Sequence, residues 1–150
     1  MSVKHITVQQ AQASQAEGST YVDVRSVPEY AQGHPAGAVN VPLLHRDERT
    51  GQMVPNRDFV AVMQTNLPAD ARLLIGCQVG GRSVQAAQIL ASAGYQDVSN
   101  VLGGYGGARD PVTGAVRSPG WTQAGLPVTG EEVPGQSYET LRSRVTQKDV

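Results

Sequence analysis

Short apolar runs alternate along the chain with segments in which apolar residues recur at helical spacing. The apolar runs predict five β-strands, over residues 6–8, 21–24, 38–41, 73–76 and 98–102. The helical segments are predicted over residues 9–17, 28–32, 56–65, 83–93 and 121–125, with Asn56 as the cap of the third. Strands that alternate with helices in this way are typical of a parallel sheet covered by helices.

A short sequence pattern occurs twice in the polar parts of the chain. Residues 43–55 form a polar excursion, and within it residues 46–51 share the pattern Arg-Asp-x-x-Thr-Gly with residues 109–114. Both copies are predicted to form tight turns with the glycine at positive φ. Each follows a predicted parallel strand at the edge where open α/β sheets carry their sites, although two unrelated surface turns are the simpler interpretation.

Composition narrows the class of protein. The 150 residues fit one domain, and 12 basic against 13 acidic residues argue against a nucleic-acid-binding or polybasic membrane protein. The apolar runs are too short to span a bilayer, and residues 1–6 contain no apolar segment of a signal peptide. A single cysteine excludes an intramolecular disulfide and a multi-cysteine metal site, so we expect a reducing cytoplasm.

The only cysteine, Cys77, follows the apolar strand 73–76 and precedes a glycine-rich loop and a helix. This order places the thiol among backbone N–H groups and against the positive end of a helix, which favours the nucleophilic thiolate. A lone cysteine is more often an inert core residue, but such a residue has no need of a glycine pair and an arginine beside it. We therefore predict Cys77 as the catalytic nucleophile. Its substrate-binding cradle is predicted to consist of Gln78, Val79, Gly80, Gly81, Arg82 and Ser83.

The spacing of Cys77 and Arg82 separates two chemistries that use such a cradle. Cysteine phosphatases place a phosphate-binding arginine one position further on, where this chain has Ser83. The cradle is therefore tighter and suits one extra sulfur atom better than a phosphoryl group. This favours sulfur transfer, in which the thiolate becomes a persulfide stabilised by the N–H groups of the loop.

With these residues the chain resembles the rhodanese family, and specifically its single-domain members. The resemblance rests on the cysteine loop, on residues 23–42, which match the amino-terminal signature of the family, and on residues 101–104. It implies an α/β fold, a five-stranded parallel sheet with helices on both faces, in which Cys77 accepts the sulfur and residues 78–82 form its amide cradle. Family members with a seven-residue loop are phosphatases or arsenate reductases, whereas this loop has the six-residue form.

The resemblance also indicates the domain organisation. We expect a rhodanese-like domain over residues 1–128 and a polar tail over residues 129–150, in which residues 137–144 form a helical turn or two. The family usually has a tryptophan a few residues after its Gly-Gly pair, whereas here residues 105–119 intervene before Trp121. We expect this insertion to overhang Cys77, and we expect Trp121 to anchor the last helix on the core.

We predict structural roles for the other polar residues near the signature. Asp23, Arg25 and Glu29 are predicted to form a local network in which Arg25 pairs with Glu29. His34 is expected to support its turn through hydrogen bonds, and Asn40 to satisfy backbone groups near the end of the sheet.

Arg82 is the arginine with a predicted functional role, because its charge attracts an anionic donor and favours the thiolate. Four further arginines are expected to be solvated surface charges, with added positive potential around the mouth of the site as the alternative: Arg46, Arg49, Arg109 and Arg117. No histidine or acid is tied to Cys77 by spacing, so no general base is assigned.

The sequence thus predicts a cytoplasmic sulfurtransferase of the thiosulfate:cyanide type. A sulfane-sulfur donor such as thiosulfate loads Cys77, and cyanide, a small thiol or a protein thiol accepts the sulfur, because the chain has no second thiol. No metal, organic cofactor, nucleic acid or membrane is implied. Two alternatives stay open: a sulfur-relay or partner-binding module with little turnover, and a phosphatase or arsenate reductase on the same fold.

Overall fold

The computed structural model describes residues 3–79, 81–131 and 133–148, and eleven strands and five helices are assigned in this part of the chain. The strands are β1 Lys4–Ile6, β2 Thr20–Asp23, β3 His34–Pro35, β4 Val39–Asn40, β5 Leu44–Arg46, β6 Met53–Pro55, β7 Arg72–Gly76, β8 Asp97–Val101, β9 Ala108–Arg109, β10 Val116–Ser118 and β11 Val128–Thr129. The helices are α1 Val8–Ala16, α2 Val27–Gln32, α3 Phe59–Asn66, α4 Gly81–Ser92 and α5 Tyr138–Lys148.

The core of the molecule is a five-stranded parallel sheet in the order β1-β8-β7-β2-β4. Side chains of the central strands alternate between its two faces. Val22, Leu73 and Ile75 pack with α3, α4 and α5, whereas Tyr21 and Leu74 pack with α1 and α2 on the opposite face. The predicted α/β fold with helices on both faces is therefore confirmed.

Three two-stranded antiparallel sheets decorate this core: β3 with β11, β5 with β6, and β9 with β10. The predicted polar excursion over residues 43–55 contains the β5–β6 hairpin, and the Asp47–Gly51 turn closes it through a bond from the Gly51 N–H to the Asp47 carbonyl. The β9–β10 hairpin closes in the same way through Gly114 and Asp110. The two glycines have φ values of 76° and 75°, so the two turns predicted from the repeated pattern are confirmed.

Several local predictions differ from the structure. The first strand ends at Ile6 because Thr7 caps α1 in a capping box with Gln10. The third helix begins at Phe59 rather than at Asn56, since the Asn56 side chain accepts from the Asp58 N–H and donates to the Pro42 carbonyl.

The helix predicted over residues 121–125 is a set of turns. The Ala124 N–H donates to the Gly120 carbonyl, but the next two bonds have different spacings, and Gly125 lies at φ 72°. A left-handed glycine ends a helical turn, so one turn forms here and no regular helix.

The helix predicted over residues 137–144 is longer than expected and runs from Tyr138 to Lys148. Its Tyr138 and Leu141 side chains are buried in the same apolar cluster as α3 and the central strands. No helix in the described part of the chain combines the length and the apolar character needed to cross a membrane.

Candidate active site

Cys77 lies directly after β7, at the carboxyl edge of the sheet, and it is 1% exposed. Its Sγ is 3.4 Å from both the backbone nitrogen and the hydroxyl oxygen of Ser83, which lies in the first turn of α4. The Ser83 N–H donates to the sulfur, and the thiol donates to the Ser83 hydroxyl. The amino-terminal turn of α4 therefore directs the Ser83 N–H at the sulfur.

The other residues of the predicted cradle lie in different environments. The Gln78 side chain accepts a hydrogen bond of 3.3 Å from the Arg25 guanidinium, and the Val79 side chain is 55% exposed. Gly81 begins α4, and Gly80 lies outside the described residues. The structure thus places the N–H and hydroxyl of Ser83 next to the sulfur, whereas the Gln78 side chain lines a neighbouring cleft.

Arg82 forms a two-pronged ion pair with Glu29, and this pair joins α4 to α2. Its Nη1 and Nη2 lie 2.7 and 3.0 Å from the two carboxylate oxygens. The Arg82 hydrogen bonds lower the pKa of Glu29 to about 2, against the opposing effect of partial burial. The same pairing with Glu29 raises the pKa of Arg82, and the thiol of Cys77 lies within electrostatic range of this guanidinium.

The predicted pairing of Arg25 with Glu29 is wrong, because Arg25 pairs with Asp23. The Arg25 Nε and Nη2 atoms lie 2.7–3.1 Å from the carboxylate oxygens of Asp23, and Nη2 also donates to the Gly33 carbonyl. Both side chains are almost fully buried. A buried guanidinium needs a buried carboxylate, and Asp23 at the end of β2 supplies one two residues away, whereas Glu29 is partly exposed.

Arg25 also lines a cleft beside the cysteine loop. The ring of Tyr105 lies over its guanidinium, 4.3 Å from the carbon to the ring centroid, which is a cation–π contact. The cleft has a volume of about 380 Å³ and is lined by Arg25, Glu29, Gln32, Gly33, Gln78 and Tyr105. Sequence reasoning missed the Arg25–Tyr105 contact, since the two residues are far apart along the chain.

A second set of polar residues lies on the other side of Cys77. The Ser83 hydroxyl donates to the side-chain oxygen of Asn100 at 2.6 Å, and the Asn100 side-chain nitrogen lies 3.1 Å from Nδ1 of His5. Ser83 and Asn100 are buried, whereas His5 is exposed. Sequence spacing could not connect these residues, because the β1–β8 register places His5 opposite Asn100; an asparagine inside an apolar strand was the available signal.

The sequence matches a known family over this region, since the model of the Rhodanese-like domain matches residues 7–109. The chain belongs to the rhodanese-like domain family. Thiosulfate sulfurtransferase 16, chloroplastic, from Arabidopsis thaliana is 39% identical over 88 residues, which cover 59% of this chain and 72% of that protein. Thiosulfate sulfurtransferase 18 from the same organism is 39% identical over 106 residues, 69% of this chain and 76% of that protein.

The fold comparison agrees with this assignment. The crystal structure of Rv0390 from M. tuberculosis matches with a TM-score of 0.71 and 26% identity, over 87% of this chain and 100% of that chain. The structural similarity therefore extends beyond residue 109, where the match to the family model ends.

In this rhodanese-like domain, the start of the predicted insertion holds the cysteine loop by its backbone. The Tyr105 N–H donates to the Cys77 carbonyl at 2.8 Å, and the Gly106 N–H donates to the Gln78 carbonyl at 2.9 Å. Gly104 permits this approach: it has φ 55°, and a Cβ there would lie 2.2 Å from the Cys77 carbonyl oxygen.

The remainder of the insertion forms the β9–β10 hairpin, and its arginines are placed as follows. Arg117 pairs with Asp110 at 2.8 Å within the hairpin, and the Arg109 side chain lies outside the described part of the chain. Arg46 and Arg49 of the other hairpin are exposed.

Three residues have the supporting contacts that the sequence predicts for them. The His34 ring stacks on the Tyr30 ring at 3.6 Å, and its Nδ1 lies 2.8 Å from the Tyr30 carbonyl. Asn40 donates to the carbonyls of Asp23 and Arg25. Trp121 is buried against Tyr21, so it anchors its segment on the core, although that segment consists of turns.

Proposed function

We propose that this rhodanese-like domain is a sulfurtransferase that carries sulfane sulfur on Cys77 as a persulfide. The observation that carries the proposal is the amino-terminal turn of α4, with the Ser83 N–H directed at the sulfur from 3.4 Å. Such a donor stabilises an anion on the cysteine sulfur or on one sulfur atom added to it. The relatives named thiosulfate sulfurtransferase support thiosulfate as a donor.

The reaction consists of two displacements at sulfur. The Cys77 thiolate attacks the outer sulfur of thiosulfate; a sulfur–sulfur bond forms, the original one breaks, and sulfite leaves with the bonding electron pair. Cyanide or a thiolate then attacks the terminal sulfur of the persulfide, and Cys77 leaves as the thiolate. The acceptor comes from outside the chain, because Cys77 is its only cysteine, and this chemistry belongs in a reducing compartment such as the cytoplasm.

The burial of Cys77 favours one alternative, a sulfur-relay module. The side chain is 1% exposed, so a free donor has little access to the sulfur in this conformation. A partner protein that binds the neighbouring cleft and exposes the sulfur would make transfer dependent on that partner. This alternative expects negligible turnover of thiosulfate and cyanide but sulfur exchange with a persulfide-bearing partner protein.

Intact-mass measurement after thiosulfate treatment tests the proposal. The wild-type chain gains the mass of one sulfur atom, a reducing thiol removes it, and Cys77→Ser gains nothing. A gain in both proteins places the sulfur elsewhere, and the absence of a gain with any sulfane donor contradicts the proposal. Turnover of arsenate or phenyl phosphate without sulfur loading would instead assign the phosphatase or arsenate reductase activity.

A further inference from the structure

Three residues connect the Cys77 sulfur to the surface through hydrogen bonds, and we call them the relay: Ser83, Asn100 and His5. The distances along it are 3.4 Å from Sγ to the Ser83 hydroxyl, 2.6 Å to Asn100 Oδ1, and 3.1 Å from Asn100 Nδ2 to His5 Nδ1. The two inner members are buried and the outer one is exposed. The relay therefore links a buried sulfur to an imidazole that exchanges protons with solvent.

The direction of each hydrogen bond in the relay follows from the number of protons. A serine hydroxyl has one proton, and the 2.6 Å bond to Asn100 uses it. The Ser83 oxygen then acts as the acceptor of a hydrogen bond from Cys77, which requires the protonated thiol. Asn100 holds this orientation because its side-chain N–H donates to Nδ1 of a neutral His5.

Protonation of His5 reverses that direction. Both ring nitrogens of an imidazolium carry a proton, so Nδ1 no longer accepts from the Asn100 amide. A half-turn of the amide places Oδ1 against His5 and the NH₂ group against the Ser83 oxygen. The Ser83 proton then points at the Cys77 sulfur and forms a charge-assisted hydrogen bond with a thiolate.

We propose that His5 and Asn100 are positioning residues that set the protonation state of Cys77 through Ser83, with a protonated His5 favouring the thiolate. The coupling is reciprocal, so a thiolate at Cys77 also favours the proton on His5. The proposal rests on the proposed function and deepens it, because it assigns the relay to preparing the nucleophile that sulfur transfer uses and makes that preparation respond to the protonation of His5.

Other charged and titratable groups surround both ends of the relay and act through space. At the outer end Lys4 and Asp97 form an exposed ion pair at 3.4 Å, on the two strands that hold His5 and Asn100. Around the sulfur, Tyr21 of β2 and Arg82 of α4 lie within electrostatic range of the thiol, and Asp23, Arg25 and Glu29 act on these two groups in turn. The test must therefore separate the hydrogen-bonded relay from simple charge effects.

The test is a titration of the thiolate by its ultraviolet absorbance between about pH 5 and 10, with Cys77→Ser as the blank. As the pH rises, His5 loses its proton and the thiolate loses a hydrogen bond, so the wild-type curve is broader than that of a single acid. His5→Phe removes the ring nitrogens at an exposed position and gives a single-acid curve. Near pH 6 it contains roughly three- to tenfold less thiolate than the wild type.

Two further variants separate the relay from electrostatics. Lys4→Gln changes a charge next to His5 outside the relay, and it leaves the shape of the curve unchanged. Ser83→Ala removes the hydroxyl that joins Asn100 to the sulfur. In this background we expect His5→Phe to have no further effect on the thiolate titration, whereas a through-space effect of the imidazolium would persist.

Superimposable curves for wild type and His5→Phe overturn the proposal, and so does an equal effect of His5→Phe with and without the Ser83 hydroxyl. The thiolate titration uses neither donor nor acceptor. A failure of sulfur loading therefore leaves this test intact, and a failure of the relay leaves the sulfur-loading result intact.

Discussion

At the scale of single residues, Gly104 sets the position of the cysteine loop. Its Cβ position lies 2.2 Å from the Cys77 carbonyl oxygen, and its φ of 55° is unfavourable for other residues. We expect Gly104→Ala to cost about 2–4 kcal/mol of the free energy of unfolding, from the left-handed conformation and the clash together. It also weakens the bond from the Tyr105 N–H to Cys77, so sulfur loading slows. Urea denaturation and the rate of mass gain measure the two effects.

Gly125→Ala is the matched control for this substitution. Gly125 also has a positive φ, 72°, but no atom lies within 4 Å of its Cβ position. Gly125→Ala should lower the free energy of unfolding only by the cost of the left-handed conformation, about 1–2 kcal/mol, and should leave sulfur loading unchanged. Equal losses of stability for the two variants would show that the approach to the cysteine loop does not constrain Gly104.

The residues of the site differ in how far the sequence could predict them. The order of strand, Cys77, glycines and helix placed the sulfur against the helix terminus, because local chain geometry decides that arrangement. The partner of Arg25 could not be read in the same way, because desolvation decides between Asp23 and Glu29. Likewise, the approach of His5 to Asn100 depends on strand register, which a single sequence does not encode locally.

At the scale of elements, the Glu29–Arg82 ion pair joins α2 to α4 and makes their contact depend on pH. The pKa of Glu29 is lowered to about 2 from an ordinary 4.5, chiefly by the hydrogen bonds from Arg82. Its contribution to stability is therefore complete above pH 4.5 and declines as the pH falls toward 2. Both side chains are partly exposed, so we expect Glu29→Gln to cost at most about 1 kcal/mol at pH 7, and less at pH 3. Urea denaturation at the two pH values gives this difference.

Arg82→Gln provides the background in which this explanation is checked. Without the guanidinium, Glu29→Gln should have a smaller effect at pH 7 and less dependence on pH. A stability difference that stays constant from pH 7 to pH 3 would contradict the lowered pKa of Glu29.

The two hairpins show what a short motif can predict about an element. In both copies of the pattern the aspartate side chain accepts from the N–H two residues later, and the threonine hydroxyl accepts from the N–H two residues after it. These bonds are local, so the pattern sufficed to predict the turns. The flanking strands β5, β6, β9 and β10 were missed because each has only two or three residues and none shows an apolar alternation.

At the scale of the whole molecule, the five strands of the central sheet were predictable from apolar runs, but the packing of α5 on the core was not. Its composition is polar on average, and among its described side chains the buried Tyr138 and Leu141 and the partly buried Val145 pack on the core. The Tyr138 hydroxyl accepts from the Asn56 side chain at 3.1 Å, and Asn66 of α3 donates to the Leu141 carbonyl at 2.9 Å. Contacts of this kind join segments about 80 residues apart in the sequence, and no local sequence pattern predicts them.

Leu141→Ala tests whether α5 unfolds together with the sheet. Leu141 is 3% exposed and belongs to the cluster that contains Ile75 and Cys77, so we expect a loss of about 2–4 kcal/mol in one cooperative transition. Leu102→Ala, at a leucine that is 38% exposed, removes the same atoms and should cost well under half as much. Urea denaturation measures both, with an unchanged slope indicating that the same surface unfolds. If α5 were only appended to the domain, Leu141→Ala would release the helix early and leave the main transition where it is in the wild type.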